Sequence, residues 1–169
     1  APSSALTVTI NPIPSVTNTF SNATYCTGTS VTAIALTADV TGSVLSWTNS
    51  NTAIGLAASG TGSVSAFTTT NTTSSPITST ITVTPSYTNN GVTCTGTAQS
   101  YTITVRPVPT VNQQANITYC GGVMQPSIVF SGSTANTQYS WTSSQDVGFF
   151  SSGIATPSIG GYVIDPTSQ

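Results

Sequence analysis

One five-residue motif occurs twice in this chain, as NATYC at residues 22–26 and as NITYC at residues 116–120. Cys120 follows Cys26 by 94 positions, and Trp141 follows Trp47 by the same distance. Upstream, TVTINPIPSV before the first motif resembles TITVRPVPTV before the second, with a spacing of 95. We therefore predict an internal repeat of 94 to 95 residues with a single-residue insertion or deletion.

The repeat divides the chain into three parts. Residues 12–106 form one complete repeat, and residues 107–169 form the first two-thirds of a second one. Residues 1–11 are the terminal strand of a preceding repeat or a donor strand. A Pro-x-Pro sequence stands at each junction, where proline fixes φ and favours an extended, semi-rigid connector. A unit of this length can hold its own core, so we expect successive domains.

Short alternating runs predict an all-β fold. In residues 12–106 we predict strands in SVTNTF, SVTAIALTADV, SVLSWTN, SVSAFTTT, TSTITVTPSY and QSYTITV, separated by Gly- and Asn-rich turns. Asn90-Gly91 predicts a tight hairpin. About seven strands in one such repeat are typical of an immunoglobulin-like β-sandwich. No segment has the apolar period of a helix, so we expect almost no helix.

The composition excludes several functions. Charged residues make up 2% of the chain, histidine is absent, and three aspartates and one arginine carry all the formal side-chain charge. General acid–base catalysis needs positioned titratable groups, so we predict no enzyme, no catalytic residue, no metal site and no cofactor. One arginine cannot neutralise a phosphate backbone, and no apolar run could span a membrane. No signal peptide is visible, which fits a mature secreted chain or a window from a longer one.

Three cysteines are an odd number, and the repeat suggests why. Cys26 and Cys94 lie in the complete repeat, Cys120 is the counterpart of Cys26, and the counterpart of Cys94 would lie near position 188. We predict a Cys26–Cys94 disulfide, with Cys120 unpaired by truncation. Such a bridge would add about 4 kcal/mol in the chain-entropy model and imply an oxidising compartment. The alternative is a pair of free, buried thiols.

The other candidate residues carry weaker signals. Trp47 and Trp141 lie on the third strand of each repeat, where we expect core packing rather than a sugar-stacking platform. Three Asn-x-Thr sequons permit N-glycosylation at Asn22, Asn71 and Asn116, although the first and last also suit a turn. The aspartates, which are Asp39, Asp146 and Asp165, could in principle bind calcium, but they are not clustered in sequence and we expect solvated positions.

The repeat resembles a known family. YCTGTSV after a Pro-x-Pro linker, then SW, then TITV-x-PVP at the end, resembles the PKD-like and immunoglobulin-like tandem repeats of large secreted surface proteins of Bacteroidota. The resemblance implies export (often by the type IX route), attachment to the cell surface, and roles in adhesion, gliding or appendage building. It implies no catalytic residues. The chain shows neither a sorting domain nor an adhesive tip.

These observations favour a non-catalytic structural or adhesive repeat of a long extracellular fibre, with neighbouring copies of the same protein as partners. Two alternatives stay open. The chain could be a carbohydrate-binding or spacer module of a secreted enzyme, with surface glycans as partners and tyrosines 25, 87, 101, 119 and 139 available for stacking. It could also polymerise by donating residues 5–10 as a strand, although two cut ends of a longer polypeptide explain the boundaries better.

Overall fold

The protein is described by a computed structural model that covers residues 5–144, 152–155 and 158–163. Strands dominate, and the only helical element in these residues is a 3-10 turn at Thr52–Ile54. The predictions of a mostly β fold and of almost no helix are confirmed. The fourteen strands are β1 (Ala23–Cys26), β2 (Ser30–Val31), β3 (Val44–Asn49), β4 (Ser59–Thr61), β5 (Phe67–Thr68), β6 (Ile77–Asn89), β7 (Val92–Thr95), β8 (Gln99–Arg106), β9 (Met124–Gln125), β10 (Ile128–Val129), β11 (Tyr139–Thr142), β12 (Ser152–Ala155), β13 (Ser158–Ile159) and β14 (Tyr162–Val163).

The chain divides into two compact units, one ending at Pro107 and one beginning at Val108. Unit 1 contains a six-stranded mixed sheet in the order β1-β8-β6-β3-β4, with β7 added to β6. The pairing of β1 with β8 is parallel, and the other pairings in this sheet are antiparallel. The thirteen-residue strand β6 lies at the centre, because it pairs with β3, β7 and β8.

A proline in the middle of β6 marks the point where one partner strand replaces another. Pairing of β6 with β8 ends at Val83, and pairing with β7 begins at Ser86. Pro85 lies between them and has no N–H to donate, so it occupies a position where that edge of β6 needs no ladder donor. Its carbonyl still accepts the backbone N–H of Gly96 at 2.9 Å.

The predicted hairpin is present at the end of β6. Asn90 and Gly91 connect β6 to β7 with φ angles of 49° and 74°. Two successive positive φ values are the signature of a type I′ turn, which matches the twist of the flanking strands. The prediction of a hairpin at these two residues is therefore confirmed.

A thinner second layer covers the inner face of the main sheet. It consists of the β2–β5 pair and two isolated bridges, Val16 with Ala38 and Ile34 with Val64. Large parts of the predicted strands in residues 15–20, 30–40 and 63–70 lack a continuous ladder. The side chain of Asn18 makes hydrogen bonds in place of some of the missing backbone pairs. It donates to the carbonyl of Ala35 at 2.8 Å and accepts the N–H of Thr37 at 2.7 Å.

One hydrophobic core lies between the two layers of unit 1. Its buried members come from the main sheet, the 3-10 turn and the second layer, and burial of this apolar surface is the main stabilising term. They are Val16, Leu45, Trp47, Ile54, Leu56, Val64, Ile81, Val83, Tyr101, Ile103 and Val105.

Strand pairing in unit 2 follows that of unit 1 at nearly constant spacing. In unit 1 Val31 pairs with Phe67, and in unit 2 Gln125 pairs with Tyr162. The Ile34–Val64 bridge corresponds in the same way to the pairing of Ile128 with Ile159 in β10 and β13. Each of these unit 2 residues follows its counterpart by 94 or 95 positions.

The main sheet of unit 1 is represented in unit 2 by two strands only, β11 and β12, among the residues that the structure describes. They correspond to β3 and β4. A shift of 94 places the counterpart of Ile77, the first residue of β6, at position 171. Residues 117–120, the counterparts of β1, form no strand and are exposed. Unit 2, as described, thus has the second layer and one end of the main sheet.

Both tryptophans pack under a glycine on the neighbouring strand. Trp47 in β3 pairs with Gly60 in β4, and Trp141 in β11 pairs with Gly153 in β12. A Cβ atom added to Gly60 would lie 2.5 Å from the Trp47 ring, and one added to Gly153 would lie 3.0 Å from the Trp141 ring. The absence of a side chain at each glycine lets the indole lie flat across the adjacent strand.

We expect Gly60→Ala to lower the free energy of unfolding of unit 1 by about 1–3 kcal/mol, because the new methyl group overlaps a buried indole. Ser59→Ala, an exposed change on the same strand, is the matched control and should have little effect. Urea unfolding followed by tryptophan fluorescence measures both. Equal stability of the two variants would contradict the close packing of Gly60 on Trp47.

Candidate interaction surface

The predicted Cys26–Cys94 disulfide is wrong: all three cysteines are free thiols. Cys26 ends β1 opposite Arg106, whereas Cys94 lies in β7 opposite Tyr87. Along β6 these two positions are separated by the run from Ile77 to Tyr87, roughly 33 Å at the rise of an antiparallel strand. A disulfide needs Cα atoms within about 7 Å, so the topology forbids this bridge.

The complete repeat contains two cysteines, but the strand order places them at opposite ends of the sheet. The first motif forms an edge strand parallel to β8, which places Cys26 at the end of the sheet where β8 finishes. Cys94 is half-buried near the Asn90-Gly91 hairpin, at the other end. Cys120 is free, as expected, but truncation of a disulfide partner is not the reason. The alternative of two buried thiols also fails at Cys26, which is exposed.

The tryptophans differ in burial. Trp47 is 3% exposed, and its indole N–H donates to the carbonyl of Ser63 at 3.3 Å. Trp141 is half-buried in unit 2. A buried indole whose polar atom is satisfied by the backbone is a packing element, and Trp47 offers no exposed ring face for a sugar.

The three sequon asparagines have different environments. Asn71 is 6% exposed, and its amide donates to the carbonyls of Ser75 at 2.9 Å and Val105 at 2.8 Å. A glycan on this nitrogen would break both bonds and enter the core, so the folded structure disfavours that site. Asn22 is exposed and accepts the backbone N–H of Thr102 at 2.9 Å. Asn116 is exposed as well, so both outer sequons stay predictions.

The acidic side chains do not come together in the described residues. The Asp39 carboxylate accepts the backbone N–H of Ser15 at 2.7 Å, and its own N–H donates to the carbonyl of Ser15 at 3.2 Å. Asp39 thus links two segments of unit 1 that are 24 positions apart in the chain. Asp146 and Asp165 lie outside the described residues. Within the described part of the chain, no group of three His, Cys, Asp or Glu residues could hold a metal ion.

Tyrosines 25, 87, 101 and 139 are buried or half-buried rather than arranged as a stacking platform. Tyr101 and Tyr139 are buried, Tyr25 and Tyr87 are half-buried, and Tyr119 is 39% exposed. Tyr101 stacks on Phe20 with ring centroids 4.9 Å apart. A carbohydrate platform needs exposed ring faces, so this arrangement gives the stacking hypothesis no support.

Outward-facing hydroxyls line the main sheet of unit 1, and we call this surface the hydroxyl face. Its rows follow the strand register: Thr78 is opposite Thr104, and Thr82 is opposite both Ser100 and Thr48. The hydroxyls of Thr78 and Thr104 are hydrogen-bonded at 2.9 Å. The members of the hydroxyl face are Ser46, Thr48, Thr78, Thr80, Thr82, Thr84, Ser100, Thr102 and Thr104.

Each unit also has one exposed apolar segment. The first, residues 5–10, exposes Leu6, Val8 and Ile10 by 89%, 73% and 87% and belongs to no strand. The second, residues 117–120, exposes Ile117 by 57%. We call them the N-terminal segment and the unpaired β1-like segment.

A cavity of about 190 Å³ lies beside β1 and β8, lined in part by Phe20, Tyr25 and Tyr101. The Tyr101 hydroxyl is buried and has no hydrogen-bond partner. Burial of this hydroxyl, and secondarily the nearby Tyr25, raise the pKa of Tyr101 above its ordinary value of 10.0. The side chain therefore stays neutral in the folded protein while it contributes ring packing.

Comparisons with known proteins give no relative: no family model, no curated protein and no solved structure matches this chain. No helix in the described residues is long and apolar enough to cross a membrane. The assignment of a function therefore depends on the chain's own geometry.

We expect the three thiols to be titratable in the native protein without a reducing agent, since none is bridged. Exposed Cys26 and Cys120 should react with a thiol reagent faster than half-buried Cys94. The thermal midpoint should be the same with and without a reducing agent. Mass spectrometry of labelled peptides gives the number of free thiols. A thermal midpoint that is lower in the presence of a reducing agent would show that a disulfide is present after all.

Tyr101→Phe should raise the free energy of unfolding by about 1–3 kcal/mol, because it removes a buried hydroxyl that has no partner. The wild type should also lose stability as the pH rises above 10, since the unfolded tyrosine ionises there while the folded one, with its raised pKa, stays neutral. In Tyr101→Phe, the part of the stability loss above pH 10 that comes from this tyrosine should be absent. Urea unfolding at pH 7 measures the effect of the buried hydroxyl, and urea unfolding at pH 10.5 measures the effect of its ionisation, with Tyr87→Phe as the control. If both variants had the same free energy of unfolding at both pH values, both predictions would be contradicted.

Proposed function

We propose that this chain is a non-catalytic structural repeat of a long extracellular surface fibre, built from tandem immunoglobulin-like β-sandwiches. The observation that carries the proposal is the recurrence of strand pairing. Val31–Phe67 and Gln125–Tyr162, like Trp47–Gly60 and Trp141–Gly153, occupy corresponding places in the two units. A unit that recurs along one chain, each with its own layered packing, is the organisation of an extended repeat protein.

The path of the chain through unit 1 suits a repeat that is joined to others in series. Asn11 is fixed at the hairpin end of the main sheet, where its amide donates to the carbonyls of Asn89 and Val92, both at 3.1 Å. The chain leaves unit 1 after Arg106, beyond the opposite end of β6, where Val105 pairs with Ile77. The chain thus enters and leaves unit 1 at opposite ends of the main sheet.

The chemistry of the surface supports cohesion rather than catalysis. The sequence carries one Lys or Arg and three Asp or Glu in 169 residues, so neighbouring copies would repel one another little. The hydroxyl face offers a regular set of neutral hydrogen-bonding groups. Because the disulfide is absent, the extracellular location is supported by this composition and by the resemblance to secreted surface repeats.

Immunogold electron microscopy of the producing cells tests the proposal, using antibodies raised against the 169-residue chain. We expect label along filaments that extend from the cell surface, with many gold particles on each filament. Preimmune serum is the control. Label confined to the cell interior, or to soluble single particles in the medium, would overturn the assignment to a fibre.

A further inference from the structure

The central strand of unit 1 presents a hydroxyl group at every outward position from 78 to 88. Its sequence there alternates as Thr-x-Thr-x-Thr-x-Thr-x-Ser-x-Thr, and the intervening positions 79, 81, 83 and 85 are buried. Ser86 and Thr88 therefore continue the hydroxyl face along β6 beyond Thr84. The pattern gives one strand six successive hydroxyl-bearing residues on the side that faces solvent.

Strand pairing extends these hydroxyls sideways into rows that cross the main sheet. Residues directly opposite each other lie on the same face, so the register fixes the members of each row. The rows are Thr24–Thr104–Thr78, Thr102–Thr80, Ser100–Thr82–Thr48–Ser59 and Thr84–Ser46–Thr61. Neighbours within a row are about 4.8 Å apart, and successive rows are about 6.6 Å apart. The hydroxyls thus form a two-dimensional lattice.

The charge of this lattice restricts its partner. Arg106, the only lysine or arginine in the sequence, lies on β8 beyond the Thr104 row, opposite Cys26. The rows themselves contain only serine and threonine. An anionic polymer needs Lys or Arg, a calcium ion needs carboxylates, and a sugar ring needs an exposed aromatic face. A neutral face of hydroxyls is complementary to a neutral partner rich in hydrogen-bonding groups.

The hydroxyls keep bonding capacity toward solvent. Thr78 and Thr104 are hydrogen-bonded at 2.9 Å, and the Thr82 hydroxyl donates to Ser100 at 3.5 Å. A hydroxyl donates once and accepts twice, so each bonded pair retains a donor and several lone pairs. Water molecules turn to meet each of these groups, whereas a second protein surface must match them all or leave some unsatisfied at a cost.

We propose that the hydroxyl face binds ice through water molecules ordered on its rows. Its two spacings, about 4.8 Å and about 6.6 Å, are close to the repeats of oxygen atoms on the prism face of hexagonal ice. The threonine methyl groups between the hydroxyls confine water to the troughs between rows. Ice binding by unit 1 is a property beyond the fibre, and it does not depend on the fibre.

The twist of the sheet limits the strength of this binding. Adjacent strands rotate by about 20–25° relative to one another, so only neighbouring strands match a flat lattice together. The best match is expected at Thr80 and Thr82 on β6 with the facing residues of β8 and β3. We therefore expect attachment to ice and slower recrystallisation rather than a large depression of the freezing point.

Partition into a slowly grown ice hemisphere tests the proposal with the 169-residue chain. Growing ice excludes ordinary solutes, so an unrelated soluble protein of similar mass gives the baseline. The wild-type chain should be several-fold more concentrated in the ice fraction than this baseline protein. Recrystallisation of a polycrystalline ice film, followed by microscopy, should be slowed at the same protein concentration.

Substitutions at one central position locate the binding face. Thr80→Lys places a long charged side chain between the rows and should reduce ice enrichment to the baseline. Thr32→Lys is the matched control, because Thr32 is exposed and belongs to no row, and it should keep the wild-type enrichment. Thr80→Val removes only the hydroxyl and should give an enrichment between these two. Thr80 is exposed, and urea unfolding followed by tryptophan fluorescence verifies the fold of each variant.

The outcomes decide the proposal in either direction. Exclusion of the wild type from ice, or equal enrichment of Thr80→Lys, Thr80→Val and Thr32→Lys, overturns it. Entry into ice that Thr80→Lys or, if that variant does not fold, Thr80→Val reduces and Thr32→Lys does not supports it. Adsorption to microcrystalline cellulose without entry into ice overturns it in favour of a glycan surface. Self-association that Thr80→Lys abolishes, without entry into ice, overturns it in favour of a second copy.

Discussion

The structure of unit 1 depends on the central strand β6. Its thirteen residues pair with β8 and then β7 on one edge, and with β3 on the other. Its inward side chains Ile81 and Val83 are fully buried. Pro85 occurs where the partner changes, so a residue that usually interrupts a central strand is accommodated without loss of a ladder donor. Every larger pairing of the main sheet is with β6 or with a neighbour of β6.

Unit 2 shows what depends on that strand, because it contains the second layer and the β3–β4 equivalent without a β6 equivalent among its described residues. The short pairings β9–β14 and β10–β13 form without it, as do β11 and β12. Residues 111–120, however, are exposed throughout. In the described part of unit 2, the short pairings are therefore present while the counterpart of β1 is unpaired.

Much of the fold was predictable because alternating residues and turn residues determine it locally. Alternation in TSTITVTPSY and QSYTITV predicted two long strands, and Asn90-Gly91 predicted the hairpin between β6 and β7. The second layer was only partly predictable, since Asn18 replaces ladder bonds there with side-chain bonds to the backbone. Such substitution has no periodic signature in the sequence.

The cysteine prediction failed for a physical reason that is instructive about repeats. Two cysteines in one domain invite pairing, but their separation depends on strand order, which periodicity alone does not give. The parallel pairing of β1 with β8 sends Cys26 to one end of the sheet, while the hairpin holds Cys94 near the other. The exposure of Leu6, Val8 and Ile10 was likewise not predictable, because their alternating pattern is that of a half-buried strand.

The repeated pentapeptide takes two different states in one chain. In residues 22–26 it supplies the edge strand β1, with Tyr25 packed against the core, whereas in residues 116–120 it forms no strand. The sequences differ only at the second position, alanine in the first copy and isoleucine in the other. Isoleucine has the higher β propensity, yet its copy is the unpaired one. The presence of β8 beside the first copy, rather than intrinsic preference, therefore decides whether this motif becomes a strand.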